Sequence, residues 1–143
     1  MRQADQGAGQ DHGPDDAVVN PGFESHAVRA VRWAFDIQEA CKTITDSGLA
    51  GEIGFRVGVG VATGVVRVGT VGARQRIQHT VIGDTVNTAS RVQALTKEFN
   101  EPIIVAESTC LKVSDKIKCA FIREVPIRGK QNPMKLYKPV QIL

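Results

Sequence analysis

The stretch TVIGDTVNTASRV, residues 80–92, joins a strand pattern directly to a helix pattern. Its first residues are β-rich, Gly83 interrupts the strand, and a helix is predicted to follow as far as about Phe99. Asn87 and Arg91 are four positions apart, so a helix presents both side chains on one face, where they can share a target. The segment therefore predicts a strand, a glycine turn and a helix that carries two polar side chains together.

The chain after this segment alternates apolar runs with turn residues. Either Asp84 or Thr85 can cap the predicted helix. A short buried strand, a short helix and a final hairpin are predicted to follow. Their sequences are PIIVA (102–106), ESTCLKV (107–113), and IKCAFIREVPI (117–127) with MKLYKPVQI (134–142) around the turn RGKQNP.

Before this segment, the first regular pattern in the chain is an amphipathic one. Apolar residues recur at three- and four-residue steps from Glu24 to about Asp46, and Ser47-Gly48 ends this predicted helix. FRVGVGVATGVVRVGTVG, residues 55–72, is predicted to form a tight β-hairpin that turns at Thr63-Gly64. Its glycines predict that another surface packs closely on it. RIQHTVI, residues 76–82, is the next predicted strand.

These elements predict an α+β fold with one sheet and the helices largely on one face. A chain of 143 residues is long enough for one domain with a core. The first 20 residues are mostly polar and glycine-rich, so residues 1–20 are predicted to be a disordered tail and residues 21–143 the domain.

Composition excludes several classes of function. A net charge of +3, scattered along the chain, argues against a nucleic-acid partner. Cys41, Cys110 and Cys119 show no zinc-ligand spacing and are odd in number, which favours a reduced, cytoplasmic setting. No apolar run reaches the roughly 20 residues of a membrane span, so no membrane segment is expected in this chain.

Four segments of the chain resemble the catalytic domain of class III nucleotidyl cyclases, the adenylate and guanylate cyclases. TVIGDTVNTASRV resembles the signature of that family. Three further segments resemble the hairpin before the signature, the helix and strand after it, and the closing hairpin: FRVGVGVATGVVRVGTVG (55–72), LTKEFNEPIIVAEST (95–109) and VPIRGKQNPMKLYKPV (125–140). The resemblance covers roughly residues 24–143 in order, and it implies a ferredoxin-like cyclase sheet.

The resemblance implies a role for four residues. Asn87 would orient the ribose, and Arg91 would stabilise charge on the α-phosphate as the 3′-hydroxyl attacks it. Arg128 matches a family lysine that holds the terminal phosphates. Thr80 lies where the family recognises the purine, and its hydroxyl can accept from the exocyclic amine of adenine, which favours ATP.

The residue types alone leave ordinary alternatives open at these positions. Asn87 can satisfy the start of a helix, the two arginines can be solvated surface residues, and Thr80 is a good strand residue. Gly69 and Gly72 would let the hairpin approach a nucleotide or a partner chain, but glycines at turns need no such reason. Asp84 is more simply explained as a helix cap than as a catalytic acid.

The resemblance also implies two Mg²⁺ or Mn²⁺ ions, held by an aspartate in an F-x-D-I motif and another in a Gly-Asp turn. Phe35-Asp36-Ile37 lacks the spacer and falls within the helical pattern, so Asp36 is predicted to be a solvated helix residue. The Gly83-Asp84 pair is part of the family signature, so it is not the Gly-Asp turn that carries the second aspartate. We therefore expect this chain to lack the metal ligands and the first strand, and to match the C-terminal two thirds of a cyclase domain.

Two functions are compatible with these expectations. In this family the active site lies at a head-to-tail dimer interface, so ATP and a second cyclase domain, in a homodimer or heterodimer, are the implied partners. The first hypothesis is an adenylate cyclase domain that forms cyclic AMP and pyrophosphate when a partner supplies the carboxylates, with little turnover alone. The alternative is an inactive cyclase-like module that binds nucleotide or dimerises with intact cyclases.

Overall fold

The computed structural model of the chain describes residues 24–72 and 78–143. The predicted tail, the Ala73-Arg74-Gln75 turn and the start of the predicted strand 76–82 lie outside these ranges. Within them the chain forms α1 (His26–Asp46), β1 (Val59–Val61), β2 (Arg67–Val71), β3 (Gln78–Ile82), α2 (Asp84–Phe99), β4 (Ile103–Ala106), α3 (Glu107–Val113), β5 (Ile117–Val125) and β6 (Met134–Ile142).

The predicted hairpin over residues 55–72 is wrong. β1 pairs in parallel with β4, with Val59 opposite Ile103, whereas β2 pairs antiparallel with β3. Two parallel strands need a crossover between them, and α2 lies within the segment that connects β1 to β4. The Thr63 hydroxyl shares a 2.9 Å hydrogen bond with the Thr109 hydroxyl of α3, so the chain leaves β1 toward α3 instead of folding back.

The strands form two sheets where one was predicted. Four strands are ordered β1-β4-β6-β5, and β2 and β3 form a separate two-stranded sheet. The predicted closing hairpin is confirmed, because β5 pairs antiparallel with β6 along most of its length. The predicted α+β class is also confirmed: a mixed sheet packs against helices.

The helices cover both faces of the four-stranded sheet, so the prediction of one helical face is corrected. Ile103 and Val105 of β4 pack with α1 and α3, whereas Ile104 and Ala106 pack with Val92 of α2. Successive strand residues point to opposite faces, and all four residues of β4 are buried. The helical patterns in the sequence identify each apolar face but not the side of the sheet that it covers.

The predicted close packing on the glycines of residues 55–72 is confirmed at β1. A Cβ at Gly60 would lie 2.6 Å from the Cα of Gln93 and 2.8 Å from the carbonyl oxygen of Ala89, both on α2. Real Cβ atoms essentially never approach so closely. Gly60 therefore sets how near α2 lies to the sheet, and through α2 it helps to position Asn87 and Arg91.

The helix α1 agrees closely with its prediction. Ser25 caps it by accepting a hydrogen bond from the backbone N–H of Val28 at 3.3 Å, and Ser47 is its C-cap. Asp36 is exposed on this helix, which confirms its prediction as a solvated helix residue. In the part of the chain that the structure describes, no helix combines the length and the apolar character needed to cross a bilayer.

Candidate functional site

The start of α2 differs from the predicted capping. Gly83 is the N-cap, with φ 154° and ψ 169°, a backbone region that glycine alone adopts readily. Asp84 is the first helical residue, so neither it nor Thr85 is the cap. The Thr85 hydroxyl instead donates to the carbonyl oxygen of Val65 at 3.0 Å, which holds the start of α2 against the segment that leads into β2.

Asn87 and Arg91 are both exposed on α2, which runs without interruption from Asp84 to Phe99. Four residues of an α-helix advance it by slightly more than one turn, so the two side chains share a face. Val92 and Thr96 are buried on the opposite side, against the sheet. The helix thus presents an amide and a guanidinium group to solvent, where both are free to bind a ligand.

The turn that carries Arg128 meets the first turn of α2. The Lys130 ammonium group forms an ion pair with the Asp84 carboxylate, three residues ahead of Asn87. Arg128 is exposed in this turn, two residues before Lys130. The last hairpin therefore brings a second arginine to the N-terminal end of α2.

This end of α2 suits an anionic ligand. The N-cap Gly83 has no side chain, so no side-chain oxygen satisfies the first amides of the helix. The positive end of the helix dipole favours negative charge, and the Asp84 carboxylate, which already lies in the first turn, is paired with Lys130. Arg91 and Arg128 add two exposed guanidinium groups, which match the geometry of phosphate oxygens.

Thr80 lies on a different element from the other three residues. It is half-buried in β3, opposite Gly69 of β2, and β3 ends two residues before α2 begins. Gly69 has open space where a Cβ would stand, so no described group packs against it there. The structure thus places Thr80 on the strand that leads into the Asn87/Arg91 helix.

Three of the predicted residues, Asn87, Arg91 and Arg128, are exposed, and Thr80 is half-buried. A cavity of about 730 Å³ lies at the opposite end of α2, near Thr96, Lys97 and Asn100. None of Thr80, Asn87, Arg91 and Arg128 lines it. Because ligand pockets usually bury most of their ligand, a surface this open suits a site that another chain completes.

The Asp84–Lys130 ion pair has no signal in the sequence. The two residues are 46 positions apart, and each carries a charge that is ordinary for a helix start or a turn. The RGKQNP turn is predicted from its own residues, but no neighbouring residue indicates which carboxylate pairs with its lysine.

Comparison with known proteins identifies the family. The family described as "Adenylate and Guanylate cyclase catalytic domain" matches residues 17–138. An adenylate cyclase of Anabaena cylindrica is 34% identical over 131 residues, which cover 86% of this chain and 26% of that protein. This chain thus spans about a quarter of that relative's length.

Two solved structures share the fold. The adenylyl cyclase CyaB from P. aeruginosa has a TM-score of 0.67 and 27% identity, over 80% of this chain and 59% of that chain. The guanylate cyclase domain of RhGC from Catenaria anguillulae, solved in complex with GTP, has a TM-score of 0.68 and 27% identity, over 87% of this chain and 65% of that chain. The family match over residues 17–138 and the 34% identity to the Anabaena cylindrica relative show that this chain belongs to the adenylate and guanylate cyclase catalytic domain family.

Proposed function

We propose that this chain forms one half of an adenylate cyclase active site, which converts ATP to cyclic AMP and pyrophosphate when a partner domain completes it. The observation that carries the proposal is the exposed Asn87/Arg91 face of α2, with the Arg128 turn held beside the first turn of that helix. These groups lie on an open surface, as expected of a half-site at the interface of a homodimer or heterodimer.

Each residue has a task that its chemistry suits. The Asn87 amide can donate to and accept from ribose oxygens, which orients the sugar. The Arg91 guanidinium stays charged and planar, so it can stabilise the charge that develops on the α-phosphate during attack by the 3′-hydroxyl. Arg128 would hold the terminal phosphates. Thr80 would accept from the exocyclic amine of adenine.

The family resemblance implies Mg²⁺ or Mn²⁺, and the sequence offers no F-x-D-I motif for the first of the two family aspartates. In the ranges 24–72 and 78–143, no group of three or more His, Cys, Asp or Glu side chains comes together to hold a metal. Asp84, the carboxylate nearest to Asn87 in the sequence, is engaged by Lys130. The proposal therefore assigns the metal-binding carboxylates to the partner domain.

A second candidate function is an inactive module that dimerises with intact cyclases. It is favoured by the apolar surface of the two-stranded sheet, where Val68 is 73% exposed and Val81, which lies opposite it, is 47% exposed. Exposed apolar side chains that cluster in this way often mark an interface with another protein. Both functions require a partner, but only the first requires Asn87 and Arg91 to act on a nucleotide.

Complementation tests the proposal. The chain is mixed with a complete class III cyclase domain whose own matching Asn and Arg have been replaced, so that neither component is active alone. We expect the mixture to form cyclic AMP from ATP and Mn²⁺, measured as an initial rate, because each chain supplies the groups that the other lacks. A mixture that stays inactive while sedimentation shows association would favour the dimerising module. Cyclic AMP in proportion to this chain alone would show that it holds its own metal.

Substitution of Thr80 tests the choice of purine. Thr80→Ala removes the hydroxyl that would contact adenine, while Asn87 and Arg91 stay in place. In the complementing mixture we expect the ratio of kcat/KM for ATP to that for GTP to fall by roughly 2- to 13-fold, the range for one hydrogen bond of about 0.5–1.5 kcal/mol. We expect kcat with ATP to change much less. An unchanged ratio would remove Thr80 from the purine site.

A further inference from the structure

The loop between β5 and β6 contains a tight turn whose corner is Arg128. The backbone N–H of Lys130 donates to the carbonyl oxygen of Ile127 at 3.1 Å, and Gly129 has φ 82°. A hydrogen bond across four residues with positive φ at the third describes a type II turn, which requires glycine or asparagine at that position. Arg128 is the second residue of the turn, so its backbone is set by the residues on either side.

The turn is anchored at both ends, at Ile127 to a core cluster and at Lys130 to the first residue of α2. Ile127 is partly buried against the core cluster that contains Val92 of α2. Lys130 forms its ion pair with Asp84, the first residue of the same helix. Arg128 lies between these two anchors, and Asn87 lies one turn after Asp84.

We propose that Asp84 and Lys130 are a positioning pair, which fixes the Arg128 turn against the start of α2 so that Arg128 and the Asn87/Arg91 face meet one ligand. This inference deepens the proposed function and rests on it for the identity of that ligand. Neither member of the pair needs to touch the nucleotide. Their contribution is to hold Arg128 at a set distance and direction from Asn87 and Arg91.

Because the Asp84–Lys130 pair is exposed, we expect it to position the Arg128 turn more than it stabilises the fold. The side chains of Lys130 and Asp84 are 48% and 71% exposed, and exposed ion pairs contribute little to the free energy of unfolding. A small displacement of a substrate-binding group, in contrast, can lower a reaction rate strongly. Removing the pair should therefore leave the fold intact while the Arg128 turn becomes less ordered.

A matched control is available beyond the C-terminal end of the same helix. Glu101, just after α2, pairs with Lys138 of β6, so this pair also joins the α2 region to the closing hairpin. Glu101→Gln removes an ion pair of the same kind without touching the Arg128 turn. The test variants are Asp84→Asn, Lys130→Gln and the double variant.

Order in the turn is measured first, by ¹⁵N relaxation of the full chain, which needs no activity. In both single variants we expect the order parameters of the Gly129 and Lys130 amides to fall from about 0.85, typical of rigid backbone, to below about 0.6. We expect no change in Glu101→Gln. A turn that stays equally ordered in Asp84→Asn and Lys130→Gln overturns the proposal, as does equal loosening in the control.

Kinetics in the complementing mixture then separate positioning from direct binding. We expect each single variant to raise the KM for ATP by the same factor, about three- to tenfold, and the double variant to raise it no further, because both act through one contact. A rise in Lys130→Gln without one in Asp84→Asn would mean that Lys130 itself binds phosphate, which overturns the proposal. If the unmodified chain fails to complement, the proposed function fails, while the relaxation result still decides whether the pair positions the turn.

Discussion

Arg91→Ala is expected to abolish complementation, with a fall in the rate of cyclic AMP formation of about 100-fold or more, as for loss of one preorganised charge at a transition state. Arg91 is exposed on the same face of α2 as Asn87, and no described carboxylate pairs with it. Its guanidinium is therefore available to the α-phosphate. The initial rate is measured at saturating ATP in the mixture with the partner domain that lacks its own Asn and Arg.

Two controls make this result specific to the site. Lys97→Ala removes an exposed cation from the last turn of the same helix, at the end away from Asn87, and we expect it to leave the rate unchanged. Sedimentation of the mixture checks that Arg91→Ala still associates with the partner. An Arg91→Ala variant that complements as well as the unmodified chain would exclude Arg91 from catalysis.

Gly60→Ala is expected to destabilise the fold by roughly 1–3 kcal/mol, the cost of forcing an extra methyl group into a packed core. The new Cβ would overlap the backbone of Gln93 and approach the carbonyl oxygen of Ala89 to 2.8 Å. Backbone atoms cannot rotate away as a flexible side chain can. α2 must therefore move away from β1, and Asn87 and Arg91 move with it.

Urea unfolding of Gly60→Ala and Gly69→Ala measures this effect. Gly69 lies in β2 and has nothing within 4 Å of an added Cβ, so Gly69→Ala is expected to change the free energy of unfolding by less than about 0.5 kcal/mol. Equal stability of the two variants would show that α2 does not pack on Gly60 as described. A loss of complementation in Gly60→Ala at a temperature where it remains folded would link the packing of α2 to the site.

The sequence alone was enough to predict most of the local elements and the shared face of Asn87 and Arg91. β4 and α3 begin or end within one residue of their predicted bounds, and α2 carries Asn87 and Arg91 on one face as expected. These features depend on the 3.6-residue helical period and on short apolar runs between turn residues, and both are local. The roles of Thr80, Asn87, Arg91 and Arg128 came from the family resemblance and stay predictions.

Only the tertiary structure decided how the elements combine. The glycines of residues 55–72 fit a hairpin turn and close packing equally well, so the pattern could not show that β1 pairs with β4 and β2 with β3. An alternating pattern identifies a strand but not its partner, since pairing is a contact between distant segments. For the same reason the Asp84–Lys130 pair and the division of the helices between two faces were not predictable. Each depends on groups that are brought together only when the whole sheet forms.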